Sequence, residues 1–224
     1  MTSRVVIMLG GEPPDPRLRR HVPSLPDAVI AADGGIDHAI AWDLPIMIAV
    51  GDMDSVSLAG LAHLQQERIA TERHPGDKEA SDGELALEVA LRWDPQEVHL
   101  FTGGGVDRLD HLLITTALLT HPSLATRRVR AWIGSTLIIS LQSGQSADFW
   151  GHQGADITLL AVNGPAQGVR TVGLEFPLHG ETLQPWSSRG LSNRAMGRMC
   201  EITIDQGCLL VIRPNAAADV ANIE

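Results

Sequence analysis

The chain has 224 residues, of which 44% are hydrophobic and 20% charged, with a formal net charge of −10. That balance can bury a core and argues against disorder, and no apolar run approaches the roughly 18 residues that a bilayer requires. So acidic a chain is not expected to bind nucleic acid, which is held by clustered Lys and Arg, and a phosphate-bearing substrate would need metal ions as intermediaries.

The opening MTSRVVIMLGGEPPDP has one basic residue ahead of a short apolar run, too little for a signal segment. It reads as a first strand, Val5–Leu9, in a cytoplasmic protein. Further strands are expected at Ala28–Ala32, Ile46–Val50, Val98–Phe101 and Val129–Ile133. Helical patterns lie between them at Ile36–Trp42, Leu58–Glu67, Asp82–Arg92 and Arg108–Leu119. This alternation predicts βαβ units and a mainly parallel sheet. Ser81 followed by Glu84 is a capping box ahead of Leu85, Val89 and Leu91, which fixes the start of the third helix.

From about Leu137 the texture changes to short apolar runs separated by Gly, Asn, Pro and Ser: Leu137–Leu141, Asp156–Val162, Val169–Val172, Met199–Ile204 and Cys208–Ile212. Such spacing predicts an all-β unit, a sandwich or small barrel, beginning near Gly134–Ser135. Cys200 and Cys208 make neither a disulfide framework nor a four-ligand zinc site and read as structural.

Acidic or glycine-rich clusters follow one strand after another. Asp33 follows VIAA, Asp52 and Asp54 follow IMIAV, and Gly103, Gly104 and Gly105 follow VHLF. In open α/β sheets such residues converge outside the carboxyl ends of the strands, where ligands bind. Taken singly, Asp52 and Asp54 also suit turn or cap roles. Their repetition favours a hard-cation site, because several carboxylates in one crevice repel each other and a divalent ion relieves the repulsion. The segment HPGDKEASDGE brings Asp77, Lys78, Glu79 and Asp82 to a helix N-terminus, where it is either a solvated loop or a polyphosphate site. In VDRLDH, Asp107 and Asp110 share a helix face, as do Arg108 and His111; this is either a surface ion-pair cluster or the flank of a phosphate loop. Asp37 and His38 read as an exposed helix face, and His74 as a loop residue.

In order, ADGG (32–35), GDMDS (51–55), DKEASD (77–82), GGGVDRLDH (103–111) and GLSN (190–193) resemble the thiamine pyrophosphokinase family across nearly the whole chain. The resemblance implies an α/β catalytic domain over residues 1–135 that binds ATP and Mg²⁺. It implies a sandwich-like all-β domain over residues 136–224 that binds thiamine and forms a homodimer, with the active site at the subunit interface. The implied reaction converts ATP and thiamine to AMP and thiamine diphosphate. Carried over by position, Asp52, Asp54, Asp33 and Asp77 would hold the metal. Asp33, Asp77, Lys78, Ser81, Gly104 and Arg108 would bind ATP, and Asp52, Asp54, Asp82, Arg108 and Asp110 would serve turnover. Ser192 and Asn193 match the motif assigned to the thiamine pyrimidine, with Phe176 or Trp186 as the stacking aromatic. Ser81 stands where relatives carry Thr, and Glu79 where many carry Asp. Two rival readings are a pyrophosphokinase for another alcohol, such as a pterin, and a nucleotide- or thiamine-binding regulatory module without turnover. Retention of every acid argues against the second.

Overall fold

The computed structural model describes residues 3–77, 79–105 and 108–218. These divide into two compact units. One holds the residues up to Leu118 together with Trp132–Gly134, and the other holds Leu119–Ala131 and the residues from Ser135 onward.

The first unit is built on β1 (Arg4–Met8), β2 (Ala28–Ala32), β3 (Ile48–Gly51), β4 (Ala70–Arg73) and β5 (Glu97–Thr102), in the order β4-β3-β2-β1-β5. All four adjacent pairs are parallel. β2 is buried along its whole length, as a strand covered on both faces must be, and Val5, Val6, Ile7 and Met8 of β1 are fully buried. The helices are α1 (Gly35–Ala41), α2 (Leu58–Gln66), α3 (Asp82–Leu91) and α4 (Leu109–Leu118). The Ser57 hydroxyl caps α2 by accepting from Gly60 N–H at 2.9 Å, and Ser81 caps α3 by accepting from Glu84 N–H at 3.2 Å. Strands β1 to β4 extend the sheet in one direction, and β5 then returns to the other side of β1. The reversal places a topological switch point between β1 and β5, where a ligand crevice forms in such sheets. No helix among the described residues is long and apolar enough to cross a membrane.

β6 (Arg128–Ile133) gives its first four residues to the second unit and its last two to the first. The second unit continues with β7 (Thr136–Gln142), β8 (Ser146–Trp150), β9 (Asp156–Val172), β10 (His179–Leu183), β11 (Asn193–Arg194), β12 (Met199–Thr203) and β13 (Gln206–Arg213). Within it the order β7-β13-β9-β12-β8 is antiparallel, and β10 and β11 also pair with β9. The stretches expected as two strands, Asp156–Val162 and Val169–Val172, are one strand of 17 residues. It pairs with β13 through Thr158–Val162 and Gln167, and with β12 through Arg170–Val172. Positive φ at Asn163, Gly164 and Gly168 bends it between these partners without ending it. Cys200 and Cys208 are free and buried, and burial raises both thiols above their ordinary value.

Candidate functional site

The loops leaving β1, β2, β3 and β5, with the start of α3 and one side of α4 (Leu109–Leu118), line a cleft of about 770 Å³. All of its lining residues belong to the first unit. Local chemistry fixes each wall. A Cβ on Gly35 would lie 2.2 Å from the Met8 carbonyl oxygen, so only glycine lets α1 start against β1, and this close approach sets the direction of the ADGG turn.

Asp33 leaves β2 with φ 50°, a left-handed conformation that Asp tolerates better than most residues. Its carboxylate accepts from Met53 N–H at 2.9 Å and from the Ser55 hydroxyl at 3.1 Å, and Ser55 Oγ in turn accepts from Gly34 N–H at 3.2 Å. Asp52 accepts from Asp54 N–H at 3.1 Å, the short Asx turn that folds GDMDS back on itself. Gly51, with φ 131°, runs beneath two carboxylates: a Cβ there would meet Asp33 Oδ1 at 2.9 Å and Asp82 Oδ1 at 3.0 Å. Oxygen atoms of Asp33, Asp52 and Asp54 lie within 4.8 Å of one another. Burial and the charge of Asp82 push the Asp33 carboxyl above its ordinary value, and Asp52 adds to the rise; the bonds from Ser55 and Met53 oppose it. Repelling hard oxygen donors on a tight turn are the donor set that Mg²⁺ takes, so the residues fit the ion.

Asp82, Ser81 and Gly83 bring the α3 N-terminus to the cleft, and Gly104 and Gly105 bring the loop after β5. Arg108 donates to both oxygens of Asp110, at 3.1 Å and 2.9 Å, and also meets His111 Nε2. The Arg108 guanidinium holds the Asp110 carboxyl down at about 2. Asp77 is exposed in the turn before α3 and lies outside the Asp33, Asp52 and Asp54 group. Lys78 and Asp107 fall outside the described residues.

The structure corrects the expectation for Asp37 and His38, which are not an exposed helix face. Asp37 accepts from Ser57 N–H at 2.8 Å and from the Ser57 hydroxyl at 2.6 Å, and His38 Nε2 lies 3.1 Å from the Gly11 carbonyl oxygen. The sequence reading gave no role to Glu12, Ser55 or Thr102, which all line the cleft. The signal for Glu12 was available, because GGE follows β1 as ADGG follows β2.

The remaining candidates lie in the second unit. Asn193 is 4% exposed, and its side chain is bound on both ends to the backbone of Phe176. Nδ2 donates to Phe176 O at 2.7 Å, while Oδ1 accepts from the N–H groups of Phe176 at 3.0 Å and Arg194 at 2.9 Å. Phe176 is 53% exposed. Ser192 has φ 55° and donates its N–H to Thr158 Oγ1 at 3.3 Å. Trp186 is 82% exposed, in the turn after β10.

Two family models match the chain: "Thiamin pyrophosphokinase, catalytic domain" over residues 21–133 and "Thiamin pyrophosphokinase, vitamin B1 binding domain" over residues 148–209. The first alone spans half of the chain. The chain belongs to the thiamin pyrophosphokinase family. Among solved structures, the thiamine pyrophosphokinase of Bacillus subtilis matches with a TM-score of 0.81 and 20% identity, covering 94% of this chain and 98% of that one. A thiamin pyrophosphokinase family protein from Enterococcus faecalis matches with a TM-score of 0.74 and 26% identity, covering 94% and 98%. The thiamin pyrophosphokinase of Candida albicans matches with a TM-score of 0.73 and 13% identity, covering 95% and 89%. A search of the curated proteins found no match. Thiamine pyrophosphokinase is therefore the function of this chain, and the cleft lies within the catalytic match apart from its β1 wall, Leu9–Glu12, and Gly134 behind its glycine loop.

Proposed function

We propose that the chain is a cytoplasmic homodimer that binds Mg-ATP in the cleft of the first unit and transfers a pyrophosphoryl group to thiamine held by its sandwich-like β unit. One observation carries the nucleotide reading: three carboxylates within 4.8 Å of one another stand beside a capped helix start and a glycine loop at a single sheet edge. Asp52 and Asp54, with Asp33, would hold Mg²⁺, with Asp77 or Asp82 behind them. The ion supplies charge neutralisation at phosphate oxygens.

The chain's own groups do the rest. The start of α3, behind the Ser81 cap, and the loop of Gly104 and Gly105 receive polyphosphate oxygens, with Lys78 as a point charge. Arg108 faces the same cleft. Its partner Asp110, held at about 2, is a weak base, so we assign it to orienting Arg108 rather than to accepting the hydroxyl proton. The thiamine hydroxyl forms the new bond to the β-phosphorus and releases its proton to solvent, the bond from that phosphorus to the α-phosphate oxygen breaks, and AMP leaves. We place the thiamine pyrimidine at Ser192 and the Phe176 loop, with Trp186 as the other candidate for stacking. The homodimer reading is supported by α4, LDHLLITTAL, which has no buried residue among those described and exposes Leu109 and Leu113, neither of which lines the cleft.

The test is AMP release from Mg-ATP with thiamine and with a panel of pterin alcohols. Thiamine-dependent AMP is expected. A response to pterins alone, or saturable thiamine binding without AMP, overturns the reading. Asp52→Asn and Asp54→Asn should each lower turnover at least about 100-fold while leaving the circular dichroism spectrum unchanged.

A further inference from the structure

The turn that carries Asp52 and Asp54 is fastened to the segment that joins β2 to α1 at two levels by the same chemistry. At the upper level Asp33 accepts from a backbone N–H (Met53) and a hydroxyl (Ser55), and at the lower level Asp37 accepts from the N–H and hydroxyl of Ser57. Asp33 sits in the left-handed turn after β2 and Asp37 in α1, so the two attachments come from successive parts of one chain segment. Each hydroxyl also accepts a backbone N–H: Ser55 from Gly34 at the start of α1, and Ser57 from Gly60 in the first turn of α2. The packing is close at both levels. A Cβ on Gly60 would meet Asp37 Oδ1 at 2.5 Å, as one on Gly51 would meet Asp33 Oδ1 at 2.9 Å.

The two attachments bracket the residues between them. Asp33 belongs to the three-carboxylate group, whereas Asp37 is bound by Ser57 and lies outside that group. Without the lower attachment, the turn would lean on the bonds of Asp33 and Gly34 to Met53 and Ser55, and Asp33 is a carboxylate that the cation itself recruits, so the repelling acids could spread apart. We propose that Asp37, acting through Ser57, is a positioning residue that holds the Asp52–Asp54 turn in its cation-receiving conformation. The inference rests on the metal reading given above. It assigns Asp37 no contact with metal or substrate.

The experiment is direct Mn²⁺ binding to the full chain, read from the free-ion electron paramagnetic resonance signal, with thermal melts alongside. Asp37→Asn and Ser57→Ala should each weaken Mn²⁺ binding about tenfold, the usual scale for partners that orient ligands. Asp27→Asn is the control. Asp27 accepts from Arg4 N–H at 2.7 Å at the opposite end of β1, so its loss costs a comparable backbone bond while Mn²⁺ affinity stays at the wild-type value. Should Asp37→Asn fail to fold, Ser57→Ala decides. Wild-type affinity in the folded variants, or equal weakening in Asp27→Asn, overturns the inference while the metal reading stands. A wild-type chain that binds no Mn²⁺ overturns the metal reading and this inference with it.

Discussion

At Asp33, burial and the charge of Asp82 favour the neutral carboxyl, while Ser55 and Met53 favour the ionised one, and the net result is a raised value. A carboxyl raised on folding stabilises the fold below its unfolded value, near 4, and that contribution is lost as pH rises through the folded value. The metal-free chain is therefore under electrostatic load at neutral pH. Mg²⁺ requires the ionised form, so its affinity should fall on acidification, starting above the ordinary carboxylate range. Thermal melts with and without Mg²⁺ between about pH 8 and pH 4 check this. The stabilisation by Mg²⁺ should shrink well before the lower limit, and a constant gain down to about pH 4 would contradict the crowding of Asp33. ADGG and GDMDS could be read directly because each is contiguous. The role of Asp37 could not, because its partner lies 20 residues away and nothing local to α1 signals it.

Among the elements, α1 approaches β1 closely at Gly35. Alanine is intrinsically the better helix residue by about 1 kcal/mol, but here the Met8 carbonyl carbon and oxygen lie 2.6 Å and 2.2 Å from the added Cβ, and both are backbone. Overpacking should win, so Gly35→Ala is expected to cost about 2–3 kcal/mol, read as a lower urea midpoint. Gly197→Ala, which meets nothing within 4 Å, should stay within about 0.5 kcal/mol of wild type. An equal effect at both positions would mean that helix and strand yield freely. The sequence showed the buried strands β1, β2, β3 and β5 to within a residue or two because their apolar runs are their own signal. It missed β4, β8, β10 and β11, which owe their strand form to backbone pairing with β3, β12, β9 and β9 in turn. It divided β9 because NGPAQG reads as a turn, whereas the partners on either side carry the strand through it.

Across the whole molecule, the acids and the SN motif lie in different units, so their loss should separate in kinetics. Asn193→Ala removes side-chain bonds to the backbone at Phe176 and Arg194. It should cost about 2–3 kcal/mol of stability and raise the KM for thiamine about tenfold through displacement of the Phe176 loop, leaving the KM for ATP nearly unchanged. Phe176→Ala should raise the same constant without the loss of stability. A rise in the ATP constant instead would assign the β unit to the nucleotide. The motif was visible in sequence, but the burial of its amide was not, because the partner is the backbone of a residue 17 positions earlier.

The placement of Trp132–Gly134 also bears on how the chain is made. Gly134 donates its N–H to Thr102 O at 3.0 Å, and Ile133 stands behind Gly104, so this short segment is the wall behind the glycine loop. On the ribosome it emerges after Leu119–Ala131, which belong to the other unit. A nascent polypeptide paused at Leu118 would already hold every carboxylate of the cleft and still lack the support for its glycine loop. Synthesis from the N-terminus therefore delivers the acids first and finishes their pocket last, after the β unit has begun to appear.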